Sequence, residues 1–134
     1  MKKSTKRPMK TADQPQELST LFAELKAEYI ETFAEKIEQI EKLWQQYNRK
    51  DIEMEFHKIK GTGATYGVKE ATQVAEVMED ICHQGSAQLG TCILFSLEIL
   101  KKIRAQYKDG AAYEIAKDPT FKFLRARQDE LESA

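Results

Sequence analysis

Residues 48–67 read NRKDIEMEFHKIKGTGATYG, and the fold turns on how this stretch is organised. Ile52, Phe56, Ile59, Gly63 and Tyr66 recur at steps of four, three, four and three, the spacing of one helix face. Asn48 is suited to cap the start, with Asp51 placed to answer it, and Gly67 stands where glycine commonly ends a helix. At about 100° per residue the apolar stripe centres near Ile52. His57 then lies roughly 140° from that centre, Gly61 roughly 180°, Ala64 roughly 120° and Lys60 roughly 80°. The histidine is therefore expected outside the core, on a second stripe shared with Lys60, Gly61 and Ala64. Glycine inside a helix costs roughly 0.5–1 kcal/mol against alanine, and Gly61 and Gly63 fall close together, beside the mediocre helix formers Thr62 and Thr65. Two readings account for these small residues. In one, the helix continues and glycine gives another protein clearance to approach the imidazole. In the other, the helix stops at Lys60 and residues 61–67 form a loop. Composition alone does not separate them.

Helical periodicity extends to both sides. Leu21, Phe22, Leu25, Tyr29, Phe33, Ile37, Ile40, Trp44 and Tyr47 form an apolar stripe, as one long helix or as two that bend near Lys26. A third pattern runs from Val68 to His83 with Ala71, Val74, Ala75, Met78, Ile81 and Cys82 inward. A fourth runs from Ala87 to Lys108 with Leu89, Cys92, Ile93, Ser96, Ile99, Leu100, Ile103 and Tyr107 inward. Four amphipathic helices on short links predict an all-α, antiparallel four-helix bundle over residues 17–110. Residues 1–16, with five Lys/Arg among the first ten and no acid there, are expected to be a disordered basic arm. Residues 111–134 read as a polar C-terminal extension, with room for a short extra helix from Asp118-Pro119 carrying Phe121, Phe123 and Leu124.

Composition narrows the function. With 134 residues the chain suits one domain, and a formal net charge of −1 does not favour nucleic acid as a partner. No apolar run is long enough to span a bilayer, and no apolar h-region follows the basic start. Cys82 and Cys92 read as reduced core residues of a cytoplasmic protein. With His83 they match no common zinc spacing, so no metal site is expected.

His57-Lys58-Ile59-Lys60-Gly61, with Gly67 ten residues after the histidine and Glu79 twenty-two after it, resembles the histidine-containing phosphotransfer (HPt) domain. The likeness covers about Leu18 to Tyr107, and its specific core is Phe56 to Glu79. Thr62-Gly63 and Tyr66 are small departures from the common pattern. The resemblance implies a phosphorelay protein that accepts a phosphoryl group on His57 and passes it on. Histidine suits this work because its imidazole is largely neutral near pH 7 and nucleophilic at one nitrogen. It further implies that Lys60 neutralises phosphate oxygens, that Glu79 orients the imidazole through Nδ1, and that Gly61, Ala64 and Lys58 lie where a partner docks. The implied partners are response-regulator receiver domains and histidine kinases. The chain itself would carry no cofactor and no ATP-dependent kinase activity, Mg²⁺ being supplied at the partner's site. A stand-alone, monomeric protein is expected, and His83, which lacks neighbours of the kind around His57, reads as a C-terminal helix residue.

Two rival functions remain at this stage. The same bundle could be a non-catalytic adaptor that docks a kinase or receiver, although His57, Lys60 and Gly61 together speak against it. Alternatively, Ile52, Met54 and Phe56 could alternate along a strand, with Gly61 to Gly67 as the phosphate loop of a nucleotide-binding domain.

Overall fold

The Asn48 side chain accepts a hydrogen bond from the Asp51 amide at 3.2 Å, and Asn48 Nδ2 donates to the Asp51 carboxylate at 2.7 Å. This cap starts a helix over Arg49–Thr65. Its end is as well defined: the Val68 amide donates to the Gly63 carbonyl at 2.8 Å and the Gly67 amide to Ala64 at 3.3 Å, with Gly67 at φ +75°. That pair of bonds is a Schellman motif, whose left-handed residue carries no steric penalty when it is glycine. The helix therefore runs through the small-residue segment, and Ile52, Met54 and Phe56 lie within it. There is no strand among the described residues and no loop at Gly61, which removes the nucleotide-binding alternative.

The computed structural model describes residues 14–133. In chain order its helices are α1 (Gln14–Glu31), α2 (Phe33–Gln45), α3 (Arg49–Thr65), α4 (Lys69–Gln84), α5 (Leu89–Lys108) and α6 (Pro119–Ser133), with a 3₁₀ turn at Ile115–Lys117. α2 packs against α3 and α5, and α4 packs against both α3 and α5, so these four enclose the core as an all-helical bundle. Most of the stripes read from the sequence are buried, namely Ile52, Phe56, Ile59 and Gly63 on α3, Ala71, Val74, Ala75, Met78, Ile81 and Cys82 on α4, and Leu89 to Ile103 at helical spacing on α5, whereas Tyr66 and Tyr107 are half-buried and Tyr47 is exposed.

Three expectations change. The bend in the first stripe falls at Thr32, not near Lys26. The Thr32 hydroxyl donates to the Tyr29 carbonyl at 2.6 Å, a back-bond of the kind that bends helices. Ahead of it only Tyr29 and Ile30 of the described α1 side chains are buried, while Leu21 and Phe22 are exposed, with no helix among the described residues covering them. The basic arm lies outside the described residues except for 14–16, which begin α1.

The C-terminal segment is part of the core rather than a polar extension. The buried Asp118 carboxylate accepts the Thr120 amide at 2.7 Å and the Tyr113 hydroxyl, which fixes the start of α6. α6 then packs on α4 and α5, burying Ile115, Phe121 and Leu124 and setting Phe123 edge-on to Phe95. With α6 as an additional neighbour, α4 and α5 bury more than one stripe each, and Val77 and Leu97 are also inside.

The two glycines of α3 have opposite surroundings. A Cβ on Gly63 would lie 2.5 Å from Thr72 Oγ1 and 3.1 Å from the Thr72 amide, whereas one on Gly61 would meet nothing within 4 Å. Gly63 thus lets the backbones of α3 and α4 approach, and Gly61 is unconstrained by packing. Gly63→Ala is expected to lower stability by about 1–3 kcal/mol through overpacking. Gly61→Ala is expected to raise it by about 0.5–1 kcal/mol through helix propensity. Urea denaturation of both variants checks the opposite signs, and two changes of the same sign would contradict the assignment.

Candidate functional site

α3 places His57 on its outer stripe, and α4 brings Glu79 against it. His57 Nδ1 lies 2.7 Å from Glu79 Oε2, and Lys60 Nζ lies 2.7 Å from Glu79 Oε1. One carboxylate thus holds both groups, one oxygen each. Exposure falls in the order the chemistry of an accessible site needs: His57 is 56% exposed, Lys60 36% and Glu79 20%. Because a carboxylate only accepts, the Nδ1 side of the ring carries the shared proton. Nε2 is then the basic nitrogen, and among the described residues no hydrogen bond engages it.

The electrostatics favour this arrangement. Partial burial pushes the Glu79 carboxyl up, but the hydrogen bonds from Lys60 and His57 outweigh it and hold the group below the ordinary carboxylate value. Lys60 moves the other way: its bond to Glu79 raises the ammonium above the ordinary lysine value, against the opposing effect of desolvation. Both shifts favour the charged forms.

Lys60, which the resemblance assigns to phosphate oxygens, is here paired to the glutamate that holds the ring. Gly61 and Ala64 are exposed on the same stripe. Lys58 is exposed too, but it pairs with Glu55 on its own helix at 3.2 Å. The threonines absorb backbone acceptors that a small-residue helix leaves available. The Thr62 hydroxyl reaches the Lys58 carbonyl at 2.9 Å, Thr65 reaches Gly61 at 3.1 Å, and Thr72 crosses from α4 to Lys60 at 3.1 Å. Tyr29 ties α1 to the inner side of this segment through Thr62 Oγ1 at 2.8 Å.

His83, at the end of α4, has a carboxylate partner as well: its Nδ1 lies 3.1 Å from Glu53 Oε2 on α3. Spacing carried the signal, since Glu53 precedes His57 by four residues and His83 follows Glu79 by four, which places each on its neighbour's stripe. Cys82 and Cys92 are buried free thiols, burial pushing the Cys82 thiol up to about 12. Among the described residues no three His, Cys, Asp or Glu side chains are grouped to hold a metal ion, and no helix is long and apolar enough to cross a membrane.

The Glu79 linkage has a definite sign. Its folded-state pKa is depressed, so the stability it contributes is present above the ordinary carboxylate range and is lost as pH falls through the folded value. Glu79→Gln is therefore expected to be less stable than the parent chain at neutral pH, with the difference closing in acid. Urea midpoints across the acid range check this, and a difference independent of pH would contradict it.

A family model described as the Hpt domain matches residues 24–110, a span that contains His57, Lys60 and Glu79 and stops short of α6. Comparison with curated proteins and with solved structures gave no match. The chain belongs to the Hpt domain family, the histidine phosphotransfer modules of phosphorelays.

Proposed function

We propose that this protein carries a phosphoryl group on His57 Nε2, accepting it from a receiver-domain aspartyl phosphate or a histidine kinase and passing it to the other kind of partner or back. The observation that supports this most is the division of the Glu79 carboxylate between His57 Nδ1 and Lys60 Nζ, which leaves Nε2 available on an exposed ring.

The transfer follows from these groups. The Nε2 lone pair attacks phosphorus, the N–P bond forms as the acyl-phosphate O–P bond breaks, and the partner's aspartate leaves as carboxylate. The proton already on Nδ1 stays there, and the Glu79 charge offsets the positive ring that results. An ammonium has three donors. Lys60 spends one on Glu79 Oε1 and has others for phosphoryl oxygens as negative charge gathers at the site. In this reading Mg²⁺ belongs to the partner's site, where it stabilises charge on the transferring group, and the chain supplies position.

Docking has room on the same side. Gly61 leaves open space beside the ring's stripe. Next to Ala64 a groove of about 440 Å³ is lined by Phe22, Lys26, Thr65, Tyr66 and Gly67 among others, and the exposed Leu18, Leu21 and Phe22 extend along α1 nearby. A receiver face with apolar residues around its acidic centre would cover both. The reading also carries an arrangement of helices: with only residues 46–48, 66–68 and 85–88 between them, α2 to α5 would run antiparallel.

Incubation with a phosphorylated receiver, or with a cognate kinase and ATP, is expected to place acid-labile, alkali-stable phosphate on the peptide that contains His57. A chain left unlabelled at His57 by every cognate donor would overturn the proposal in favour of a docking adaptor. Lys60→Ala is expected to slow transfer on the order of tenfold, equivalent to about 1.4 kcal/mol of barrier, with the circular dichroism of the bundle retained. An unfolded variant would remove that role. Gly61→Leu is expected to block transfer without unfolding, and an unchanged rate would show that clearance is not needed there.

A further inference from the structure

The seam between α3 and α4 carries two histidine–carboxylate pairs, not one. At the first, His57 on α3 meets Glu79 on α4; at the second, Glu53 on α3 meets His83 on α4. Residue numbers fall by four on α3 and rise by four on α4, so the second pair sits one helical turn along the seam, about 5–6 Å away. Between the two pairs the helices exchange roles. Each histidine turns Nδ1 to a glutamate Oε2, and each leaves Nε2 without a hydrogen bond among the described residues. His83 is the more exposed of the two, at 75%.

A cation is built in at the second pair as well. Arg49 reaches from the start of α3 to the end of α4, where Nη1 donates to the Cys82 carbonyl at 2.9 Å and lies 3.5 Å from the His83 carbonyl. It thereby offsets the negative end of the α4 dipole, which would otherwise oppose an anion at His83. The guanidinium needs space: a Cβ on Gly85 would stand 2.6 Å from Arg49 Nη1. Imidazole and carboxylate recur as His83 and Glu53, and Arg49 supplies a cation at the His83 backbone, where at the first site Lys60 pairs with the carboxylate itself.

We propose that His83 is a second phosphoryl acceptor, served by the same class of acyl-phosphate donor at a docking position shifted one turn along the seam. This rests on the phosphotransfer reading of His57. The step balances in the same way: the Nε2–P bond forms as the acyl-phosphate O–P bond breaks, the donor carboxylate leaves, and the ring proton stays on Nδ1 against Glu53. With Arg49 Nη1 engaged by the helix-end carbonyls, the second site is slower than the first, on the order of tenfold or more.

The test uses the full chain, a phosphorylated receiver and, separately, phosphoramidate, which needs no docking. With both donors His57→Gln is expected to retain alkali-stable phosphate on the peptide holding His83, and His57→Gln/His83→Gln to lose it. Glu53→Gln is expected to slow labelling of His83 several-fold in the phosphoramidate reaction while leaving His57 unchanged. If the parent chain is labelled at His57 but the receiver places nothing on His83 in His57→Gln, the second acceptor is overturned and the first stands. Labelling of His83 by phosphoramidate at a rate indifferent to Glu53 also overturns it, because solvent exposure alone would then explain the reaction. Circular dichroism of each variant separates a chemical effect from unfolding.

Discussion

The Glu79 carboxylate is the constraint on which the site depends. One oxygen fixes the histidine ring by Nδ1 and the other draws the Lys60 ammonium to the same place, so a single side chain from α4 organises two from α3. Without it the imidazole would turn freely about its side-chain bonds, its tautomer would be set by solvent, and Lys60 would be one more solvated lysine. The carboxylate can do this because it is only 20% exposed and is held ionised by its two partners. A more exposed acid would share them with water, and a fully buried one would cost more desolvation than the pairs return.

That position in turn requires α3 and α4 to be close, and the sequence provides for closeness in an economical way. Gly63 removes the one Cβ that would strike Thr72, the Thr72 hydroxyl bonds across to the Lys60 carbonyl, and the Gly67 turn folds α4 back immediately afterwards. The helix-weakening residues of this segment therefore serve separate ends. Gly63 sets the spacing of two helices, Gly67 the reversal between them, and Thr62 the contact with Tyr29 behind. Gly61 has no packing reason at all, which leaves the outer surface as the place to look for its use.

Much of this was legible in the residues. Periodicity located α4 and α5 to within about two residues and the start of α3, leaving the end of α3 open between Lys60 and Gly67, and it put His57 on the outside because the apolar stripe left no other place for it. Spacing reached Glu79 only through the family resemblance, since a glutamate at the edge of a helix's apolar face has no periodicity of its own. What escaped was tertiary. Leu21 and Phe22 belong to an apolar stripe that nothing among the described residues covers, a fact that depends on where other helices are. α6 has only a few apolar residues, so it read as polar until α4 and α5 supplied the surface that buries Phe121 and Leu124. The pairing of His83 with Glu53 joins residues thirty apart, and its four-residue offsets from His57 and Glu79 gain meaning only once α3 is set against α4.

The most direct test of the central claim is the identity of the ring nitrogen that carries phosphate on His57. Nitrogen-15 and phosphorus-31 NMR of the phosphorylated chain distinguishes the two. If Glu79 holds Nδ1 as described, phosphate is found on Nε2 and the Nδ1 proton persists in its bond to the carboxylate. Phosphate on Nδ1 would mean that Glu79 does not orient the ring, and the account of the site would fail.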